Sequence, residues 1–380
     1  MYVCALARET QLVYYQPFTQ KPCYKNIARL FRNSQSIKHL HFTGLYVFII
    51  ITIFVADKTD TLLTPAVGRI ILLFMVKQIK PSVLNHCYQR AENGMLLFYC
   101  VSDYLVYFTN YCVIARRYGI TVLSLCIMPD HVHDSIIVRS GFELSRFKQK
   151  ANSDVTRALN PVCHHERRLF EKSYGVAPKI GSKAERTNLI YVGNNGVERN
   201  LCSFAENYRW SFLAYAESPN PFSDKLVIRE SRWPMRCAIK EVKACFGKNK
   251  PLTYAQLQRL FAPLNDNEKA QLVDFIISLY NVIDYKAAIS RFGSYDKMIT
   301  AMHSTTGSEH DIPEEFTGYS DACYAKIARY VLQLPGVKDV HDVLAWDDER
   351  KWGLYQDLRG RFNATGKQIA KFLRMAVKWK

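Results

Sequence analysis

The stretch CIMPDHVH, residues 126–133, decides how the middle of this chain folds. It closes a run of strand-like residues that begins at Ile120. Side chains alternate between the two faces of a strand, so His131 and His133 are predicted to point the same way while Val132 points into the core. Two imidazoles about 7 Å apart on one strand face can converge on a metal ion, which then needs a third protein ligand. This layout is typical of a catalytic metal site, and the alternative is a solvated histidine pair at a strand end.

Composition indicates a globular protein with a polyanionic partner. The 380 residues leave room for two or three domains, and 48% of them are hydrophobic. The net charge of +17 favours nucleic acid as the partner, although a membrane-surface protein would carry a similar excess. Eleven cysteines without any Cys-x-x-Cys pair predict reduced thiols. We therefore expect a cytoplasmic, nucleoid-associated protein without a stable membrane partner.

The order of the elements predicts the fold class. Strands are expected over Val83–Arg90, Ile120–Met128 and His131–Val138, and helices over Val101–Tyr118 and Phe142–Leu159. Strand, helix, strand, strand, helix is the ferredoxin-like α+β scheme, in which helices cover one face of an antiparallel sheet. The histidines are then expected on the open face or at an edge of that sheet.

The first 74 residues differ in character from the rest. They include an uncharged run, Phe42–Ala56, that is shorter than the roughly 20 residues a membrane-spanning helix needs. We expect residues 1–74 to be an upstream extension, with Met75 as the true start. The alternative is a genuine amphiphilic appendage that associates with a membrane.

Residues 219–380 are predicted to form a mainly helical accessory region. A linker is expected at Ser218–Pro221, followed by amphipathic helices over Leu252–Phe261 and Asn267–Tyr280. Leu354–Leu373 reads as helix, turn, helix, and its basic second helix would suit a DNA groove. A solvated helical bundle explains the same pattern.

Two motifs in order identify a family resemblance. MPDHVH at 128–133 is followed by YVGNN at 191–195, and together they resemble the single-tyrosine (Y1) HUH endonucleases, more closely the REP-associated tyrosine transposases related to the IS200-type transposases. Upstream Asn85–Arg90 and downstream Tyr208–Ser211 are similar to further segments of that family. The resemblance covers about residues 80–217 and implies a catalytic domain over residues 75–218 with the HUH endonuclease fold.

The resemblance also implies an active site. Tyr191 corresponds to the family's nucleophile, and His131, His133 and Asn195 to its metal ligands. If Tyr191 lies on a helix, Asn195 follows one turn later on the same face and can offer its amide oxygen. Nitrogen and oxygen ligands with open positions suit Mg²⁺ or Mn²⁺.

The implied activity is that of an enzyme that nicks and joins single-stranded DNA through a 5′-phosphotyrosine intermediate. Its expected partners are single-stranded DNA with hairpin or inverted-repeat ends and a second copy of the chain. A domesticated DNA-binding protein of the same fold, without cleavage activity, is the main alternative. A zinc-dependent hydrolase is a weaker one, because no third histidine or cysteine ligand is near the pair.

Five basic residues are candidates for contacts with DNA phosphates. They lie on the second predicted helix or near the tyrosine: Arg146, Lys148, Lys150, Arg199 and Arg209. Each could equally be a solvated surface charge. Tyr208 and Trp210 could stack on unpaired bases, although core packing is the expected use of Trp210.

Overall fold

The computed structural model describes the strands within residues 2–17 and the residues 78–304 and 319–375. The chain divides into two compact units, Met1–Val76 and Lys77–Lys380. In the first unit, strands β1 (Tyr2–Leu6) and β2 (Val13–Pro17) pair antiparallel. The uncharged run Phe42–Ala56 and the expected start at Met75 lie outside the described residues.

The second unit is built on a four-stranded antiparallel sheet. Its strands are β3 (Leu84–Arg90), β4 (Thr121–Ile127), β5 (His131–Ile137) and β6 (Gly175–Lys179), in the spatial order β4-β5-β3-β6. The turn between β4 and β5 closes with a 2.9 Å hydrogen bond from the Met128 amide to the His131 carbonyl. The three predicted strands are confirmed to within a residue or two at each end.

Three helices complete the core of this unit, α1 (Val101–Tyr118), α2 (Gly141–Leu159) and α3 (Ser182–Glu198). The Asp103 carboxylate accepts the backbone N–H groups of Tyr99 and Cys100 and so starts α1. Gly119 ends α1 in the left-handed conformation, at φ 64°. Both helices predicted from the sequence are confirmed.

The helices lie on opposite faces of the sheet. On one face, Asp134 of β5 contacts Tyr111 of α1 and Lys148 of α2. On the other, Ser135 donates a 2.7 Å hydrogen bond to Asn188 of α3. The ferredoxin-like α+β class is confirmed, with α1 and α2 on one face. The histidine face is not open as we expected, because α3 covers it.

Residues 205–375 add short 3₁₀ turns and eight helices among the described residues. These are α4 (Trp233–Gly247), α5 (Tyr254–Phe261), α6 (Asp266–Tyr280), α7 (Tyr285–Ser290), α8 (Tyr295–Ser304), α9 (Ala322–Val331), α10 (Asp348–Leu358) and α11 (Gly366–Leu373). The two predicted amphipathic helices correspond to α5 and α6, and the predicted helix-turn-helix to α10 and α11. One continuous hydrophobic core joins α4, α5, α6, α9, α10 and α11 to α1, whereas the buried residues of α7 and α8 belong to two smaller clusters.

None of the helices in the described part of the chain has the length and apolar character needed to cross a membrane. All nine cysteines between residues 78 and 375 are free thiols.

Candidate active site

The two motif histidines share one face of β5, as strand alternation predicts. His131 is 5% exposed and His133 is fully buried. Their ring centroids lie 4.9 Å apart with the rings nearly perpendicular. The side chains between them and beyond them alternate, so Val132 and Asp134 face α1 and α2 instead. The solvated-pair alternative is therefore excluded for these two residues.

Tyr191 faces the same histidines from α3. Its ring centroid lies 5.5 Å from that of His133, edge to face, and its side chain is 3% exposed. The phenol oxygen and the Nε2 atoms of His131 and His133 are all buried. Two motifs that are nearly 60 residues apart in sequence are thus brought together between β5 and α3.

Asn195 lies one turn beyond Tyr191 on α3, as predicted, and is buried. Its side-chain amide nitrogen donates a 2.9 Å hydrogen bond to the backbone carbonyl of Tyr191. Because this bond uses the nitrogen end of the amide, the side-chain oxygen is the end that can act as a ligand.

A third histidine, His86 of β3, belongs to the same cluster, although sequence reasoning gave it no role. Its Nε2 lies 3.0 Å from Nδ1 of His133, and its ring centroid is 5.5 Å from that of Tyr191. This contact holds the ring of His133 by its Nδ1 atom. The sequence shows a histidine within the predicted strand Val83–Arg90, but only the register between β3 and β5 shows that it lies beside His133.

An acidic residue holds His131 in a similar way. Nδ1 of His131 lies 2.5 Å from Oδ1 of Asp130, and Lys371 of α11 donates to Oδ2 of the same carboxylate. A carboxylate only accepts hydrogen bonds, so Nδ1 carries the proton. Burial opposes ionisation of Asp130, but the charges and hydrogen bonds of His131 and Lys371 hold its pKa well below its usual range. Neither Asp130 nor Lys371 was predicted.

The predicted DNA contacts on α2 have different surroundings. Arg146 is exposed, and its guanidinium carbon lies 5.6 Å from the ring centroid of Phe142. Lys150 is partly buried and forms a 2.7 Å ion pair with Asp154. Lys148 is a correction, because it is 4% exposed and its ammonium group lies 2.6 Å from both carboxylate oxygens of Asp134. It cannot reach a DNA phosphate from this position.

The two arginines near the tyrosine also differ. Arg199 caps the end of α3 and is partly exposed. Arg209 packs over the ring of Phe222 and lies 3.4 Å from the buried carboxylate of Asp274, so it is held by the helical region. Trp210 stacks on Tyr104 at 4.4 Å, which confirms the expected core packing. Tyr208 is buried as well, and its hydroxyl donates to the Ile127 carbonyl.

The histidine face continues along β3 toward solvent. Tyr88 is opposite His133 and is partly exposed, with 6.3 Å between the ring centroids. Its ring lies directly over Gly175 of β6, where a Cβ atom would come within 1.8 Å of it. Arg90 follows, with its guanidinium 5.6 Å from the Tyr88 ring centroid. An aromatic and a basic side chain thus flank the buried cluster, a further candidate pair that the sequence did not single out.

The predicted ligand set consists of two imidazoles and one amide. Nδ1 of each motif histidine is engaged by a neighbour, which is the usual arrangement for metal-binding histidines that ligate through Nε2. In the described ranges, no group of three or more His, Cys, Asp or Glu side chains is placed to hold a metal ion. The predicted set contains only two side chains of these types, because its third member is the amide of Asn195.

Known proteins resemble this chain over the segment that carries the two motifs. Residues 105–195 match the family model described as "Transposase IS200 like". The matched segment begins in α1, ends at Asn195, and contains His131, His133 and Tyr191. No curated protein matches the chain.

Among solved structures, a REP-associated tyrosine transposase bound to a REP hairpin is 11% identical to this chain. The similarity covers 37% of this chain and 82% of that one, with a TM-score of 0.33. The family match indicates a transposase-like function. The resemblance predicted from the two motifs is confirmed over residues 105–195, where the chain is similar to the IS200-like transposases.

Proposed function

We propose that this protein is a metal-dependent strand transferase that cuts and rejoins single-stranded DNA through Tyr191. The observation that carries the proposal is the convergence of Tyr191 with His131 and His133 in one buried cluster between β5 and α3. If Tyr191 served only to pack the core, it would not require two neighbouring histidines whose Nδ1 atoms are held by His86 and Asp130. The family similarity over the same segment supports a DNA substrate.

The residues that would hold the cation are His131, His133 and Asn195. Along α3, Asn188 contacts Ser135 and Tyr191 faces His133, so each turn of the helix advances by one inward-facing residue of β5. We expect the next turn, at Asn195, to correspond to His131. Mg²⁺ or Mn²⁺ bound there would neutralise phosphodiester charge and polarise the phosphorus.

Tyr191 would then be the nucleophile. Its phenol oxygen forms a bond to phosphorus while the bond from phosphorus to the 3′ oxygen breaks, and the proton lost by the phenol balances the proton gained by the 3′ oxygen. The phosphodiester bond energy is kept in the 5′-phosphotyrosine, so a 3′-OH can reverse the step and join strands without ATP.

The substrate should be unpaired where it is cut. The partly exposed ring of Tyr88 can stack on a base, and Arg90 beside it can contact a phosphate next to the cleaved bond. Such contacts read the backbone and the π-face of a base, which are accessible in single strands. Hairpin or inverted-repeat ends would present such a strand next to a duplex.

The test uses labelled oligonucleotides that form a hairpin with single-stranded flanks, incubated with the protein and Mn²⁺. A covalent protein–DNA adduct is expected with the wild type and with Tyr88→Phe, which keeps the stacking ring. It should be absent with Tyr191→Phe. An adduct that persists in Tyr191→Phe contradicts the assignment of the nucleophile, whereas binding without any adduct in the wild type favours the domesticated DNA-binding alternative.

A further inference from the structure

The last described helix reaches the active site through one side chain. Lys371 of α11 donates to Oδ2 of Asp130, whose Oδ1 lies 2.5 Å from Nδ1 of His131. Lys371 and Asp130 are 24% and 21% exposed in their side chains, so the pair is partly shielded from water. A cation from the helical region and an imidazole from the sheet therefore share one carboxylate.

α11 is held in place independently of this ion pair. Ile369, Phe372 and Leu373 are fully buried. The hydroxyl of Tyr99 donates a 3.0 Å hydrogen bond to the Phe372 carbonyl. Just beyond the helix, Arg374 donates to the Leu96 carbonyl at 3.3 Å and lies over the Tyr99 ring. The backbone that carries Lys371 is thus fixed against the loop before α1, and the lysine is not needed to dock it.

The chemistry of the contact favours a positioning role. A carboxylate that binds Nδ1 of a histidine fixes the tautomer and the ring orientation, and both determine where Nε2 points. Asp130 has two oxygens, and without Lys371 the carboxylate could rotate toward solvent. A salt bridge at this degree of exposure adds little to folding stability, so stability alone does not explain a buried helix that places an ammonium group here.

We infer that Lys371 is a positioning residue for His131, acting through Asp130, and that the helical region thereby forms part of the cleavage machinery. This inference rests on the proposed function for its consequence in catalysis. It also makes a statement about the histidine itself, which can be measured in the protein without metal or DNA.

The experiment compares Lys371→Met, which keeps the unbranched stem and removes the charge, with Lys371→Arg, which keeps the charge. Lys367→Met is the matched control, since Lys367 lies one turn earlier on the same helix and is exposed. The readouts are the ¹⁵N-detected tautomer of His131 in the metal-free protein, Mn²⁺ binding by titration calorimetry, and the Mn²⁺ concentration that half-saturates adduct formation. The His131 signal is assigned by its loss in His131→Ala.

Wild type and Lys367→Met should hold His131 in the Nδ1–H tautomer. Lys371→Met should populate both tautomers and raise the half-saturating Mn²⁺ concentration about tenfold. Lys371→Arg should keep the His131 tautomer and the half-saturating Mn²⁺ concentration close to those of the wild type. In a protein that already carries Asp130→Asn, adding Lys371→Met should cause no further change in either quantity. An unchanged His131 spectrum and unchanged Mn²⁺ binding in a folded Lys371→Met protein would overturn the inference, as would a gain in cleavage. If the wild type forms no adduct, the proposed function fails, while the tautomer measurement still decides the role of Lys371.

Discussion

The two faces of β5 both carry buried polar side chains, but these side chains have different kinds of partner. On the α1 and α2 face, Asp134 is fully buried and is neutralised by Lys148, with Tyr111 donating a further hydrogen bond. On the α3 face, the rings of His131, His133 and Tyr191 pack against one another edge to face. Opposite charges at 2.6 Å hold the core together, whereas imidazoles and a phenol are groups that can ligate a metal ion or attack a phosphate. Two consecutive residues of β5, His133 and Asp134, therefore face different surroundings, an ion pair that stabilises the core on one side and the candidate active site on the other.

The largest expected effect breaks the α3 face. His131→Ala or His133→Ala should reduce adduct formation to background, because either change leaves too few ligands for a weakly bound hard cation. Affinity for single-stranded DNA at fixed salt should stay nearly unchanged, since the basic surface is intact. Gel-shift and adduct assays measure both, with His303→Ala as the control. Full cleavage by the double histidine variant in the presence of a chelator would remove the metal from the account.

The opposite face should respond in stability instead. Lys148→Met leaves the Asp134 carboxylate buried without its cation, so we expect a loss of about 3–5 kcal/mol in the free energy of unfolding. Lys150→Met, which breaks an exposed-edge ion pair on the same helix, should cost less than about 1 kcal/mol. Urea denaturation of the three proteins decides this. Equal losses in the two variants would show that the buried pair has no special weight.

A buried histidine elsewhere sharpens the contrast by carrying a charge. His341 is 1% exposed, and its two ring nitrogens lie 2.6 Å from Asp339 and 3.0 Å from Asp103. Burial alone would lower its pKa, but the two carboxylates raise the pKa far above the ordinary 6.5. Because the folded pKa is raised, this stabilisation is complete below pH 6.5 and is lost as the pH rises toward the folded pKa.

Unfolding free energy should therefore fall above about pH 6.5, by on the order of 1 kcal/mol per pH unit. His341→Gln should lower stability at pH 6 and flatten that slope. Denaturation curves at pH 6, 7, 8 and 9 measure both. The same slope in wild type and His341→Gln would rule out this histidine as its source.

The smallest effect concerns the third ligand. Asn195→Ala removes an amide oxygen that water can replace, so we expect about a tenfold rise in the half-saturating Mn²⁺ concentration and recovery of cleavage at high Mn²⁺. Asn194→Ala is the matched control, because the Asn194 side chain donates to the Met302 carbonyl. No difference between the two variants would argue against Asn195 as a ligand.

Local patterns were sufficient to predict the strands and the first helices, whereas the pairing of Tyr191 with the motif histidines was predicted from the family resemblance. The mistake at Lys148 was avoidable, since Leu144, Phe147, Ala151 and Val155 form an apolar stripe at helical spacing and Lys148 lies within it. The prediction that the histidine face is open was wrong, because α3 covers that face and the position of α3 is set by packing that no local pattern reveals. His86 required the strand register, and Lys371 acts on a residue 241 positions earlier, a distance at which no local pattern carries information.

The most direct test of the central claim is to identify the residue that carries the DNA. Wild-type protein is reacted with a hairpin oligonucleotide and Mn²⁺, the adduct is digested with nuclease and trypsin, and the modified peptide is sequenced by mass spectrometry. The account predicts a nucleotide 5′-phosphate on Tyr191, in the peptide that follows Arg186. A phosphate attached to any other side chain, with Tyr191 unmodified, would contradict it.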